Sequence, residues 1–495
     1  MKKQLTTWCL LLIGVMMTIP CKSQDWQPVQ LSREISHPQP MTGLVLWPDE
    51  AEDLNDTYGG SITLEFSYCL PCKVVTGCDA QGVIQYDWTS FDQLLDDVAS
   101  RGHQLVARFR YEYPSGKEVD GQKGTTAVPA YIKQRADYKE TYAKNPGGDG
   151  PTYYADWSNT ELQRFTLQFY TDFCKRYAHD PRLAFLEVGF GHWSEYHIYG
   201  TTLQLGVNFP SKAYQKQFFQ HMSTVADGLP WLVSIDASDD EYSPVVDDQE
   251  IMALDFGLFD DSFMHKDHEI GTNDGYNEEC WNAIGKRTRW QTGVCGGEIS
   301  YYKDSDQKNF LNPNGMYGHT WEEQAAKYHI TFMIANDAPS GTYGTAARFR
   351  EATLASGYQL SVKECATDGT QTRLLVTNEG IAPLYRDAWF AIGDVRSETS
   401  LCGLLPNEEK EVLIAAVPKS DGSDIQVQSD CILASQEIEF KADLEGPTGI
   451  TVIDKSTEQV PAAFYSLSGQ QTTRQAVHGI VVERRGQMVR KYIQK

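Results

Sequence analysis

The sequence predicts an α/β fold: a (β/α)8 barrel of the TIM type, then an all-β sandwich and a short β-rich C-terminal tail. Three observations carry this expectation. Between Gly43 and Leu354, eight short apolar, β-branched runs alternate with amphipathic stretches, which is the texture of a βα repeat. Polar and aromatic residues gather after each run rather than before it, as they do at the C-terminal mouth of a parallel barrel that carries a site. After Ser356 the pattern changes to short alternating strands separated by turn signals.

The eight candidate strands are Gly43 to Trp47, Ile62 to Tyr68, Gln104 to Tyr111, Leu183 to Phe190, Trp231 to Ala237, Asp255 to Phe263, Arg289 to Glu298 and His329 to Asn336. Most carry Val, Ile, Leu and Phe with little alternation, as expected of strands covered on both faces. Between them, Ser90 to Ser100, Asn159 to Tyr177, Ser211 to Asp227 and Thr320 to Tyr328 show helical periodicity. The longest insertion, Pro114 to Trp157, follows the third strand and is rich in Gly, Tyr, Lys and Asp, so it is expected to form a rim or lid.

Organisation follows from texture. Lys2 and Lys3 precede an apolar run from Leu10 to Ile19, and small residues at Cys21 and Ser23 precede Gln24; residues 1–23 are expected to be a secretory signal peptide. A lipid anchor on Cys21 is the alternative. The barrel is assigned to 24–356, the sandwich to 357–442, and a linker with a sorting-like tail to 443–495. The expected location is secreted, periplasmic or at the cell surface.

Composition excludes several classes. With a formal net charge of −24 the 495-residue chain should repel nucleic acid and anionic membranes. No later run of about 18 apolar residues offers a membrane span. There is no Gly-rich phosphate loop, no GxSxG elbow and no dinucleotide fingerprint, so kinase, esterase and dehydrogenase readings lose their usual support and no cofactor is called for. Cys69, Cys72 and Cys78 lie close together without a fourth ligand, which favours a local disulfide over zinc.

Two glutamates 103 positions apart, Glu195 in LAFLEVGFGHWSEYH and Glu298 in RWQTGVCGGEISYY, stand just past the fourth and at the end of the seventh run. Glycosidic cleavage usually needs two carboxyl groups, one to protonate the leaving oxygen and one to attack the anomeric carbon or activate water. They are the candidate catalytic pair, with structural ion pairing to Arg108 or Arg110 as the bland alternative. Gly189, Gly191 and Trp193 are expected to let a sugar ring approach the backbone and stack on the indole, and Gly296 with Gly297 to leave Glu298 clear of the wall. Arg108 and Arg110 share one strand face and are candidates for orienting a carboxylate. His197, Asp236, Asp260, Asp261, Tyr301 and Asn336 complete the candidate substrate-binding set. No metal is assigned; an acidic cluster with His265 and His268 is the alternative considered. Aromatic platforms are expected from Trp157, Trp193, Tyr196, Tyr199, Trp281, Tyr317 and Trp321.

These motifs, from Gly189 through His197 and from Gly296 to Glu298, with a C-terminal sandwich, resemble glycosidase-like barrel proteins secreted by Bacteroidota. More distantly the chain is similar to clan-A glycoside hydrolases. That resemblance implies Glu195 as acid/base and Glu298 as nucleophile, with retention of configuration. It departs at Ser194, where clan-A enzymes commonly carry an Asn that binds the sugar 2-hydroxyl. The tail, Tyr465 to Gly469 and Gly479 to Val481, resembles C-terminal segments that direct surface sorting, implying contact with secretion machinery. The function expected is glycoside hydrolysis of a poly- or oligosaccharide. The alternatives are a non-catalytic glycan-binding barrel and a polysaccharide lyase using Arg108 or Arg110 to neutralise a uronate.

Overall fold

A computed structural model describes residues 26–113, 118–119, 122–285, 288–335, 341–445, 463–466, 470–472, 479–485 and 488–494. The leader with Cys21 and the candidate Asn336 lie outside these residues.

Eight parallel strands close into a barrel: β1 (Gly43–Leu46), β2 (Leu64–Cys69), β3 (Gln104–Phe109), β4 (Leu183–Glu187), β5 (Trp231–Ser234), β6 (Gly257–Phe263), β7 (Cys295–Ile299) and β8 (Phe332–Ile334). β8 returns to β1 through Phe332 opposite Gly43. The strands are almost wholly buried, which explains why their sequences run apolar without alternation. The helices expected from periodicity form where their caps allow. α1 (Thr89–Ser100) follows β2, and α2 (Thr160–Tyr177) starts where the Asn159 side chain accepts from the amides of Glu161 and Leu162. α3 (Lys212–Val225) is capped by Ser211, and α4 (Trp321–Tyr328) opens with a capping box between Thr320 and Glu323.

Strand limits differ from the expectation by three residues or more at β4, β5, β7 and β8; β5 stops at Ser234, where Ile235–Ser238 forms a 3-10 turn. β4 stops at Glu187, because the chain turns away through a loop with left-handed residues. Arg289–Gln291 forms a 3-10 turn, so β7 begins only at Cys295. His329 takes a left-handed conformation (φ 54°) that ends α4, and its ring stacks on Trp290 at 3.6 Å, which delays β8 to Phe332.

Beyond the barrel, β9 (Leu360–Thr367), β10 (Thr372–Asn378), β11 (Trp389–Ile392), β12 (Glu409–Ile414), β13 (Ile425–Gln428) and β14 (Phe440–Leu444) build two facing sheets. One runs β14–β9–β10–β12 and recruits Leu31–Arg33 and Gln27–Pro28 from ahead of the barrel; the other pairs β11 with β13 and Val395–Arg396. Phe390 and Phe440 meet across the interior at 5.1 Å. A four-stranded antiparallel sheet forms from 463–466, 471–472, 479–485 and 488–494.

The sandwich docks on the barrel at the starts of its strands. Arg386 donates to the carbonyls of Ala178 and Gly228, each at 2.8 Å, Gln104 Nε2 to Cys431 O at 2.9 Å, and Tyr385 OH to Trp290 O at 2.5 Å. The C-terminal mouth is therefore left to the loops. No disulfide joins Cys69, Cys72 and Cys78, so the expected local bridge is not formed. Cys69 is buried in the barrel wall, whereas Cys78 sits on the following hairpin against Arg164. Among the described residues no helix is long and apolar enough to cross a membrane.

Candidate active site

The loops after the strands enclose a cleft of about 1250 Å³. Glu195, Glu298, Arg110, Trp193, His197, Asp236, Asp260, Asp261 and Tyr301 all line it, together with Tyr68, Tyr113 and His265.

Its floor is built around one guanidinium. Arg108, from the end of β3, is fully buried and donates through Nε to Glu187 at 2.6 Å, through Nη1 and Nη2 to Asp261 at 2.5 and 3.0 Å, and through Nη1 to Glu195 at 3.3 Å. Phe66 and Phe259 flank it. One cation thus meets three carboxyl groups where little water can screen them. Burial and the neighbouring Asp261 push Glu195 well above the usual carboxylate range, against the opposing pull of Arg108. Burial likewise carries Glu187 up to about 7.

Glu298 is the penultimate residue of β7, and its carboxylate accepts from Tyr301 OH at 2.7 Å. Burial and Asp261 raise it well above the ordinary value, while the Tyr301 hydroxyl and Arg108 pull it back. On the other flank His197 stands 3.8 Å from Glu195 and bonds Asp236 at 2.9 Å through Nδ1. Burial raises Asp236 in turn.

The glycines serve a different purpose from the one expected. A Cβ on Gly189 would lie 1.9 Å from Ser194 O, and one on Gly191 2.3 Å from His197 O. They let the Glu195 loop fold back on itself rather than admit a sugar. Similarly, Gly296 makes room for the Phe332 ring and Gly297 for the backbone of Asp260, where β6 and β7 slip register. In the returning loop Trp193, Ser194 and Tyr196 all have positive φ (56°, 67° and 63°), a strain of about 1–3 kcal/mol each. Ser194 Oγ anchors it to Phe109 O at 3.1 Å and Tyr196 is buried beneath it. Ser194 is therefore a loop fastening, not a sugar contact.

Asp260 has no acceptor capacity to spare. It takes hydrogen bonds from His268, Asn277, Trp281 and the Ser262 amide; burial pushes its carboxyl up, but these partners outweigh that and hold it below the usual range. Of the expected platforms, Trp157, Tyr196 and Trp321 are core residues and Trp281 is committed to Asp260, whereas Trp193, Tyr199 and Tyr317 face the cleft. Sequence reasoning missed Glu187 and Tyr68. Glu187 had a signal: a carboxylate ending the apolar run LAFLE. Tyr68 had none, since it looks like any strand aromatic.

No protein-family model matches the chain, and no curated protein sequence matches it. Similar solved structures exist. Endo-glycoceramidase II from Rhodococcus sp. is 11% identical, with 80% of this chain and 98% of that chain covered at a TM-score of 0.39. The catalytic domain of β-amylase from Paenibacillus polymyxa is 10% identical, covering 64% and 99% at 0.37. A glycoside hydrolase family 10 endo-β-1,4-xylanase from Gloeophyllum trabeum is 9% identical, covering 63% and 96% at 0.35.

Among the described residues no group of three or more His, Cys, Asp and Glu is arranged to hold a metal ion. The cleft's chemistry is one of carboxyl groups in different electrostatic settings. Glu195 favours its protonated form beside a solvent-facing cavity, and Glu298 is steadied by a phenol.

Proposed function

We propose that the protein is a glycoside hydrolase acting on a poly- or oligosaccharide, with Glu195 as general acid/base and Glu298 as nucleophile. The observation that carries this reading is the pairing in one wide cleft of two glutamates with different partners, Glu195 against Arg108 and His197 and Glu298 hydrogen-bonded to Tyr301. Glu195 donates its proton to the departing glycosidic oxygen. Glu298 attacks the anomeric carbon, Tyr301 and Arg108 favouring its ionised form. Glu195, now ionised, takes a proton from the incoming water, whose oxygen bonds the anomeric carbon as its bond to Glu298 breaks and the carboxylate leaves, and the configuration is retained. His197, backed by Asp236, positions Glu195 and offers a proton route between turnovers. Trp193 and Tyr199 supply stacking surfaces for pyranose faces. The leader is taken as an export signal and the C-terminal sheet as a sorting element, which puts the enzyme outside the cytoplasm.

The test is release of reducing ends from a polysaccharide panel by the wild-type protein and by Glu298→Gln and Glu195→Gln. Activity in the wild type that both variants lose supports the pair, and NMR of the first-formed anomer reads retention. Glycan binding without turnover would establish the binding-protein alternative, and ultraviolet absorbance from unsaturated products a lyase.

A further inference from the structure

Arg110 is the anomaly of the cleft. It is 3% exposed, yet its guanidinium has neither a hydrogen-bond acceptor nor an ion-pair partner among the described residues, and its Nε and Nη1 are buried and unpartnered. Its neighbours are aromatic: its guanidinium carbon lies 3.8 Å from the centroid of Tyr68, 4.1 Å from Trp193 and 4.5 Å from Tyr113. Stacking occupies its faces and leaves only its edge for hydrogen bonding. Glu112, buried two residues on, is within reach of its charge but accepts from the Ala155 amide and makes no ion pair with it, and the other acids nearby are engaged elsewhere. Asp261 and Glu195 bond Arg108, Asp236 bonds His197, Glu298 bonds Tyr301, and Asp149 bonds His192.

A buried cation without a counter-charge is among the costlier features a fold can carry. Burial lowers the guanidinium's pKa to about 10, which still leaves it charged at neutral pH. The strain in Trp193, whose positive φ belongs to the segment that sets the indole against Arg110, marks the same spot.

We propose that Arg110 receives an anionic substituent of the substrate through its guanidinium edge, so that the enzyme's substrate is an acidic glycan bearing a uronate carboxylate or a sulfate ester near the scissile bond. This rests on the hydrolase reading for the word substrate, and the contact with the anion stands or falls separately. A guanidinium is a strong donor to an oxyanion, and the aromatic collar limits the water around the contact.

The test uses the full chain with Glu298→Gln, which cannot turn substrate over, on an array of matched uronate-bearing, sulfated, carboxyl-reduced and neutral oligosaccharides, alone and combined with Arg110→Met or Arg110→Lys. Binding is expected on acidic members, weakened about 10- to 100-fold by Arg110→Met and less by Arg110→Lys. Which acidic members bind tells carboxylate from sulfate. The melting temperature of Arg110→Met is expected to hold or rise, since an unpaired buried cation is removed; a structural arginine would give a loss. Binding confined to neutral members, acidic binding that survives Arg110→Met, no acidic member bound, or an Arg110→Met protein that melts markedly lower while Arg110→Lys binds like the parent each overturns the proposal. Cleavage of only neutral glycans by the wild type would likewise overturn it and leave the hydrolase reading standing. Arg110-dependent binding of acidic members that the wild type never cleaves would remove the hydrolase reading instead.

Discussion

Two buried carboxylate networks sit in the same barrel wall, and they are built on opposite principles. Toward the starts of the strands, Glu65 on β2 is fully buried and meets two bases: Arg101 donates to it through Nε at 2.9 Å and Nη2 at 2.7 Å, and His103 Nδ1 lies at 2.7 Å. At the strand ends, Arg108 faces Glu187, Glu195 and Asp261, with Glu298 within reach of its charge. The first network is rich in bases and satisfied; the second is short of them, and burial there raises Glu187, Glu195 and Glu298 above the ordinary carboxylate range. On the hydrolase reading proposed above, the barrel keeps one network for stability and another, at some cost to stability, for proton transfer.

The comparison can be broken most forcefully at the mouth. Glu298→Gln is expected to lower kcat on the true substrate by about 10³-fold or more, and Glu195→Gln by about 10² to 10⁴-fold on substrates with poor leaving groups, both measured as initial rates of reducing-end release. Neither should alter the folded far-UV circular dichroism spectrum. At the other network the effect falls on stability instead. Glu65→Gln removes the buried carboxylate shared by Arg101 and His103, leaving Arg101 only the more exposed Asp97, and should cost about 1–3 kcal/mol in denaturant unfolding, with kcat of the folded fraction unchanged.

Glu187→Gln sharpens the contrast, because it removes one of the surplus acids while keeping an acceptor for Arg108. Its cost should stay under about 1 kcal/mol near neutral pH. The pH dependence gives the sign. Glu187 is raised in the fold to about 7, so between its unfolded value near 4.5 and pH 7 the folded state binds the extra proton. That stabilising contribution is complete below about 4.5 and is lost as pH rises through 7. Unfolding free energy at pH 5 and pH 8 should differ less in Glu187→Gln than in the wild type. Since Glu187 also raises Glu298, the acid limb of kcat/KM should move to lower pH in the same variant.

A separate effect, on the pH profile, is expected at Tyr301→Phe. Loss of its hydroxyl removes a bond that favours ionised Glu298, so the acid limb should move to higher pH, with kcat at the optimum down about tenfold. An acid limb that stays in place would show that Glu298 is not the group titrating there.

Much of the barrel was legible because parallel strands buried on both faces must be written as continuous apolar runs, and all eight were located within a few residues. Their ends were less so. His329 and Arg289 belong to runs that look like strand, and only the α4 cap and the turn before β7 reveal otherwise. In the site, Glu195, Glu298, Arg108 and Tyr301 could be singled out as polar residues at apolar run ends. Their partners could not, because Arg108 and Asp261 are 153 positions apart and no local pattern records a contact of that range.

What the sequence determined by itself is the order of strands and helices, the mouth as the place where charge collects, and two glutamates that reach it. Only the tertiary structure decided what those charges do. It spent Asp260 on four donors, turned the glycines to loop packing, buried Glu187 under Arg108 and left Arg110 with aromatic rings and no ion pair. The physical reason is that a strand's pattern of burial is a local property written in its own residues, whereas ionisation depends on burial and on charges supplied by distant strands, which meet only when the barrel closes.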